Sequence, residues 1–277
     1  NAFHQRPIVN SHCNTAQDQQ ENTMATKLDL TFSATHPDGE HALICLVGSK
    51  GALVPTLDKE LAAAVISAMS TAKFTGEDGK TVTLNLETRT VLLVGIGTAL
   101  TAGLRAEIVG GKIFAAVSEL QVKHAVMPEH RIEDAVLADI ILGMQMAAYH
   151  FEKYFTEASS NEATVKIDVV SGDLTAGHPL VQDRHALMAG VAMARDLVFE
   201  PANKLYPAEF VDRCKPLADL GLEITVLDEA EMEKRGMGAL LGVGQGSRRD
   251  SYMVVMQWKG GGDEAPIALV GKGVCFD

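Results

Sequence analysis

The feature that most restricts the fold of this chain is an alternation between short apolar runs and longer segments whose apolar residues recur at helical spacing. It starts at Leu28. Leu28 to Phe32 and His41 to Val47 read as strands, the second nearly continuous in apolar side chains, as a strand covered on both faces must be. Leu57 to Ala72 then places Leu57, Leu61, Ala64, Val65, Ala68 and Met69 on one helical stripe. Asp78-Gly79 reads as a hairpin turn between the short Phe74–Gly76 segment and the alternating strand Thr81 to Leu86. Thr90 to Val94 is a buried strand closed by Gly95 and Gly97. A helix over Ala102 to Leu120, a strand over His124 to Met127, a helix from about Ile132 to Phe155 and a strand over Thr164 to Val170 follow. This order predicts a mixed sheet with helices on both faces.

The second half continues the pattern less regularly. Asp183 is a candidate N-cap for a helix reaching Phe199, apolar on most sides and so expected to be a buried connector. We place a domain boundary there, with an N-terminal α/β domain over residues 24–182 and a second domain opening at 183–277. Pro207 suits the first turn of another helix, and Pro216 inside it costs an internal hydrogen bond and about 3 kcal/mol in all, which predicts a kink or an end near Lys215. Strands at Glu223–Leu227, Tyr252–Trp258 and Ile267–Val270 and a short helix at Glu229–Arg235 complete the expectation. Residues 1–23, rich in Gln, Asn and His and without periodicity, read as a disordered or non-native leader ahead of Met24.

Composition narrows the function. With 36 acidic against 24 basic residues the formal charge is −12, and no basic run exceeds Arg248-Arg249, which argues against nucleic acid as a partner. No segment offers the roughly 18 apolar residues that span a bilayer, and no secretory signal core is seen, which points to a cytoplasmic protein without a membrane partner. The four cysteines lie far apart with no CxxC pair, as expected for reduced thiols; Cys45 and Cys214 read as core residues.

Several catalytic patterns fail on inspection. Val270-Gly271-Lys272-Gly273 lacks the leading glycine and the Ser or Thr of a phosphate loop. Gly95-Ile96-Gly97 has Leu100 where a dinucleotide fingerprint needs its third glycine, so a tight strand-to-helix turn is the better reading. The glycines of Gly242–Ser247 read as a flexible turn. Ser70–Lys73 matches SxxK but has no SDN or KTG partner, and neither GxSxG nor HExxH occurs.

Lys272 and Asp277 remain. A surface lysine and a terminal aspartate are one reading. The other starts from a lysine set directly after an apolar run, where burial or a divalent cation would favour the neutral amine as a nitrogen ligand, with an aspartate oxygen beside it.

The segments ARDLVFEPANKLYPAEF (Ala194–Phe210), GMGALLGVGQGS (Gly236–Ser247) and ALVGKGVCFD (Ala268–Asp277), with a weaker match at AYHFEKYF (Ala148–Phe155), resemble the leucyl aminopeptidase family of cytosolic two-metal peptidases. The resemblance implies an N-terminal macro-like mixed α/β domain followed by the start of an α/β/α catalytic domain. It implies Lys272 and Asp277 as metal ligands and two divalent metal ions as cofactors, manganese or zinc, with magnesium as a third candidate. It further implies peptide substrates, a preference for N-terminal leucine-like residues, and a homo-hexamer at full length. Phe199 stands where the family carries asparagine. The family's second lysine, third ligand aspartate and DAEGR segment have no counterpart up to Asp277, so the catalytic lysine and arginine are not among these residues and the polypeptide itself is expected to be inactive. The rival expectation is a nucleotide- or DNA-binding α/β module, which a clustered basic face and salt-sensitive binding would distinguish.

Overall fold

Two apolar runs set the centre of the sheet, because only its middle hides both faces of a strand. In a computed structural model, which describes residues 27–87, 89–120, 122–155 and 164–275, β2 (Ala42–Gly48) pairs in parallel with β5 (Thr90–Gly97), Leu43 opposite Val91 and Cys45 opposite Leu93. On its other side β2 meets β6 (His124–Met127), which pairs with β7 (Val165–Val170), and β7 with β1 (Leu28–Ser33), all in parallel. The antiparallel β4 (Thr81–Asn85) closes the order β1-β7-β6-β2-β5-β4, and the two-residue β3 (Ala52–Leu53) folds back on the end of β2. The mixed α/β reading of the sequence is what forms.

Successive residues of β2 enter different cores, as the pleat requires. Ile44 and Leu46 pack with α2 (Leu104–Glu119) and α3 (Asp134–Ala148), whereas Leu43, Cys45 and Val47 pack with α1 (Lys59–Thr71). The free thiols of Cys45 and Cys214 are both buried, and burial pushes that of Cys45 up to about 12. Helices α2 and α3 approach closely through glycine. A Cβ on Gly110 would lie 1.9 Å from the Ile140 carbonyl oxygen, and one on Gly143 would lie 1.9 Å from that of Glu107. No larger residue fits there without moving a helix.

Three local expectations need correction. Asp78-Gly79 does form a turn, the Lys80 amide donating to the Glu77 carbonyl at 3.1 Å, but it is not the hairpin turn. The hairpin joins β4 to β5, with Thr81 opposite Val94 and Asn85 opposite Thr90, because that register buries Leu84 beside Val91 and Leu93 with Val82 packed alongside. Helix α3 stops at Ala148 rather than Phe155. Tyr149 turns extended there and buries its ring with Leu142, Met188 and Ala192. Helix α4 (Pro179–Phe199) starts ahead of Asp183, since proline's fixed φ suits the first position and the His178 carbonyl accepts the amides of Val181 and Gln182.

The chain divides into two compact units between Ala192 and Met193, within α4. In the second, α5 (Pro207–Cys214) ends just before the 3-10 turn that holds Pro216, as proline's missing amide demands. Gly221 follows with φ 94°, a left-handed conformation that suits glycine. A two-stranded antiparallel sheet forms from β8 (Glu223–Leu227) and β9 (Met253–Gln257). Between them lie α6 (Glu229–Lys234), capped by Asp228 accepting from the Glu231 amide at 2.9 Å, and α7 (Gly238–Gly244). The glycines read as a flexible turn are thus partly helical, carried by Ala239, Leu240 and Leu241. Among the described residues no helix is long and apolar enough to cross a membrane.

Candidate metal centre

Lys272 lies in an exposed segment without regular secondary structure. The expected strand Ile267–Val270 does not form: Ile267, Leu269 and Val270 are 89, 94 and 95% exposed. A lone apolar run gains nothing from extending unless a neighbouring strand accepts its backbone bonds, and none of the described strands does. The burial that would desolvate Lys272 is accordingly missing. Asp277 and the expected leader lie outside the described residues, and among the described residues Lys272 has no hydrogen-bond or ion-pair partner. Among the described residues no group of three or more His, Cys, Asp or Glu could hold a metal ion. These residues alone do not form a donor set that fits a metal.

In the second unit the segment after α4 is held by side-chain bonds. Glu200 is buried and accepts from Arg213 Nη1 at 2.8 Å, while Arg213 Nε donates to Glu209 at 3.0 Å. Those bonds and the nearby carboxylates raise the Arg213 guanidinium above its ordinary value, against the opposing effect of burial, which is the largest single influence. Pro201 offers its carbonyl to the amides of Lys204 and Leu205, a turn that delivers the chain to α5. Arg249 stacks on the Tyr206 ring, 3.7 Å from its centroid, and ties the loop after α7 to the start of α5. The motif VFEPANKLYP thus contributes the buried Glu200 to a part-buried ion pair with Arg213 of α5.

Two regions of the chain match models of known families. Residues 46–158 match the cytosol aminopeptidase family, N-terminal domain, and residues 192–277 match the cytosol aminopeptidase family, catalytic domain. The chain belongs to the cytosol aminopeptidase family. A probable cytosol aminopeptidase of Rhizobium meliloti (strain 1021) is 38% identical over 270 residues, covering 92% of this chain and 54% of that protein. One from Dinoroseobacter shibae (strain DSM 16493 / NCIMB 14021 / DFL 12) is 51% identical over 141 residues, covering 51% of the chain and 28% of the relative. The chain thus spans about half the length of the first of these relatives. Among solved structures, a mutant of tomato leucine aminopeptidase superposes with a TM-score of 0.66 at 20% identity, over 83% of this chain and 50% of that one. The bottromycin maturation enzyme BotP in complex with Mn gives 0.59 at 19%, over 79% and 45%. These two likenesses bear on the fold.

Within this cytosol aminopeptidase family member, sequence reasoning missed a buried carboxylate in the first unit. Asp139, in the most apolar helix, accepts from the Gly103 amide at 2.5 Å and from Arg184 Nε at 2.7 Å. It caps α2 and secures α4 at once. Sequence reasoning also missed a pocket of about 390 Å³ at the carboxyl ends of β2 and β5, where Gly97, with φ 65°, turns the chain away from the sheet. The signal was available, since open parallel sheets place ligands off their carboxyl ends.

Proposed function

We propose that the protein represented by this chain is a metal-dependent aminopeptidase that removes leucine-like residues from peptide N-termini in the cytoplasm. Membership of the cytosol aminopeptidase family is established above, and the observation that carries the finer reading is GKGVCFD, residues 271–277, at the end of the region matched by the catalytic-domain model. In this reading Lys272 and Asp277 contribute a nitrogen and an oxygen donor. Two donors leave most positions of any metal pair unfilled, so this reading requires further ligands beyond Lys272 and Asp277. The Mn in BotP supports divalent ions as cofactors. When bound, such ions polarise a scissile carbonyl and acidify water. We keep the domain division at 24–182 and 183–277 and a homo-hexameric assembly as part of the same proposal.

The test compares the 277-residue chain with a product extended to the length of the curated relatives, using leucine p-nitroanilide with and without manganese or zinc. Turnover by the extended protein alone, abolished by chelation, is the expected outcome. Turnover by the 277-residue chain would overturn the division of the site.

A further inference from the structure

The pocket at the ends of β2 and β5 is lined by two exposed side chains of opposite charge. Arg131 and Glu133 both line it, and among the described residues neither side chain forms an ion pair or hydrogen bond. The backbone that carries them is nonetheless fixed. Pro55 bridges to His130, the Arg131 amide donates to the Val54 carbonyl at 3.2 Å, and the Glu133 carbonyl accepts the amides of Val136 and Leu137 as α3 begins. Ile96, Leu100 and Val136 supply an apolar wall, and the volume is at the small end of the roughly 300–1,000 Å³ typical of small-molecule pockets.

We infer that this pocket binds a free α-amino acid with an aliphatic side chain, through Arg131 on the α-carboxylate, Glu133 on the α-ammonium and Ile96, Leu100 and Val136 around the side chain. A guanidinium suits a carboxylate, and the carboxylate two residues away suits an ammonium group. A nucleoside diphosphate would set its negative charges against Glu133, and a simple hydrocarbon would leave both charges unanswered. The inference stands on the pocket alone and does not depend on the peptidase reading.

The test is calorimetric titration of L-leucine into the EDTA-treated 277-residue chain, where a metal-bound mode of leucine binding is removed. Saturable one-site binding is expected, with Arg131→Gln and Glu133→Gln each weakening it about tenfold or more, as expected for losing one charged hydrogen-bonding partner. Glu133 gives no side-chain cap to α3, so its replacement leaves the helix start intact, and unchanged melting of both variants checks this. Leucinamide and N-acetyl-leucine, each missing one charge, are expected to bind at least about tenfold more weakly. Absence of leucine binding, equal binding of the two single-charge analogues, unchanged affinity in both variants, or preferential binding of ADP would each overturn the inference.

Discussion

The Leu46 amide, inside the central strand, donates to Nε2 of His130 at 3.2 Å, while Nδ1 of the same buried ring bonds the Pro128 carbonyl. A carbonyl can only accept, so Nδ1 carries the proton and Nε2 offers its lone pair to the strand. His130 is thereby a neutral clamp that holds the start of the 128–133 segment against β2. Burial lowers its pKa to about 4, despite the opposing bond to Pro128.

This clamp predicts an acid-sensitive stability. The folded pKa lies below the ordinary 6.5, so protonation favours the unfolded chain. The contribution is fully present above about pH 6.5 and is lost as pH falls through about 4, with a ceiling of about 3 kcal/mol for a shift of this size. Urea midpoints of the chain and of His130→Leu, compared from pH 7 to 4, check it. The variant is expected to be less stable by about 2 kcal/mol at pH 7, because it orphans the Leu46 amide, and to show a shallower decline toward acid. Parallel declines would remove His130 as the source.

Asp139 predicts a different kind of loss. Its carboxylate joins the start of α2 to Arg184 of α4, and among the described residues neither the Gly103 amide nor the Arg184 guanidinium has another acceptor. Asp139→Ala strips the Gly103 amide of its acceptor and leaves a half-buried guanidinium unpaired, at an expected cost of about 3 kcal/mol. Asp139→Asn keeps one acceptor oxygen and should lose less. Thermal melting of the pair of variants distinguishes charge from hydrogen bonding, and equal effects would show that the charge contributes little.

Contacts of this kind mark where the sequence stops being readable. The central strands were legible because His41–Val47 and Thr90–Val94 are apolar on consecutive residues, which only a doubly covered sheet accommodates. Asp139 announces itself as a lone carboxylate in an apolar helix, but its partners stand 36 and 45 residues away and no periodicity points to them. The Asp-Gly turn was a true local signal that lost to a longer-range register, in which β4 pairs with β5 and packs Leu84 and Val82 into the core beside Val91 and Leu93. The candidate metal site fared otherwise. GKGVCFD was legible as a motif, yet a motif does not bury its strand unless neighbouring strands are there to receive it.

The Gly110–Gly143 crossing predicts a steric rather than an electrostatic failure. Gly143→Ala adds one methyl that meets the Glu107 carbonyl at 1.9 Å, and backbone cannot swing aside as a side chain can. We expect a loss of about 2 kcal/mol or more in denaturant unfolding, although alanine is the better helix former by about 1 kcal/mol. Gly190→Ala, which meets no atom within 4 Å in α4, serves as the control and is expected to be neutral or stabilising.

Lys272 separates chemistry from stability. Its side chain is exposed in the 277-residue chain, within a segment that packs on nothing described, so Lys272→Ala should shift the unfolding midpoint of this chain by no more than about 0.5 kcal/mol. In the extended protein the same substitution is expected to abolish leucine p-nitroanilide turnover and to weaken metal retention on dialysis, because a nitrogen donor cannot be replaced by a methyl group. Conserved turnover with unchanged metal content in that variant would sink the ligand role. A large loss of stability in the 277-residue chain would show instead that the segment packs where it has been described as exposed.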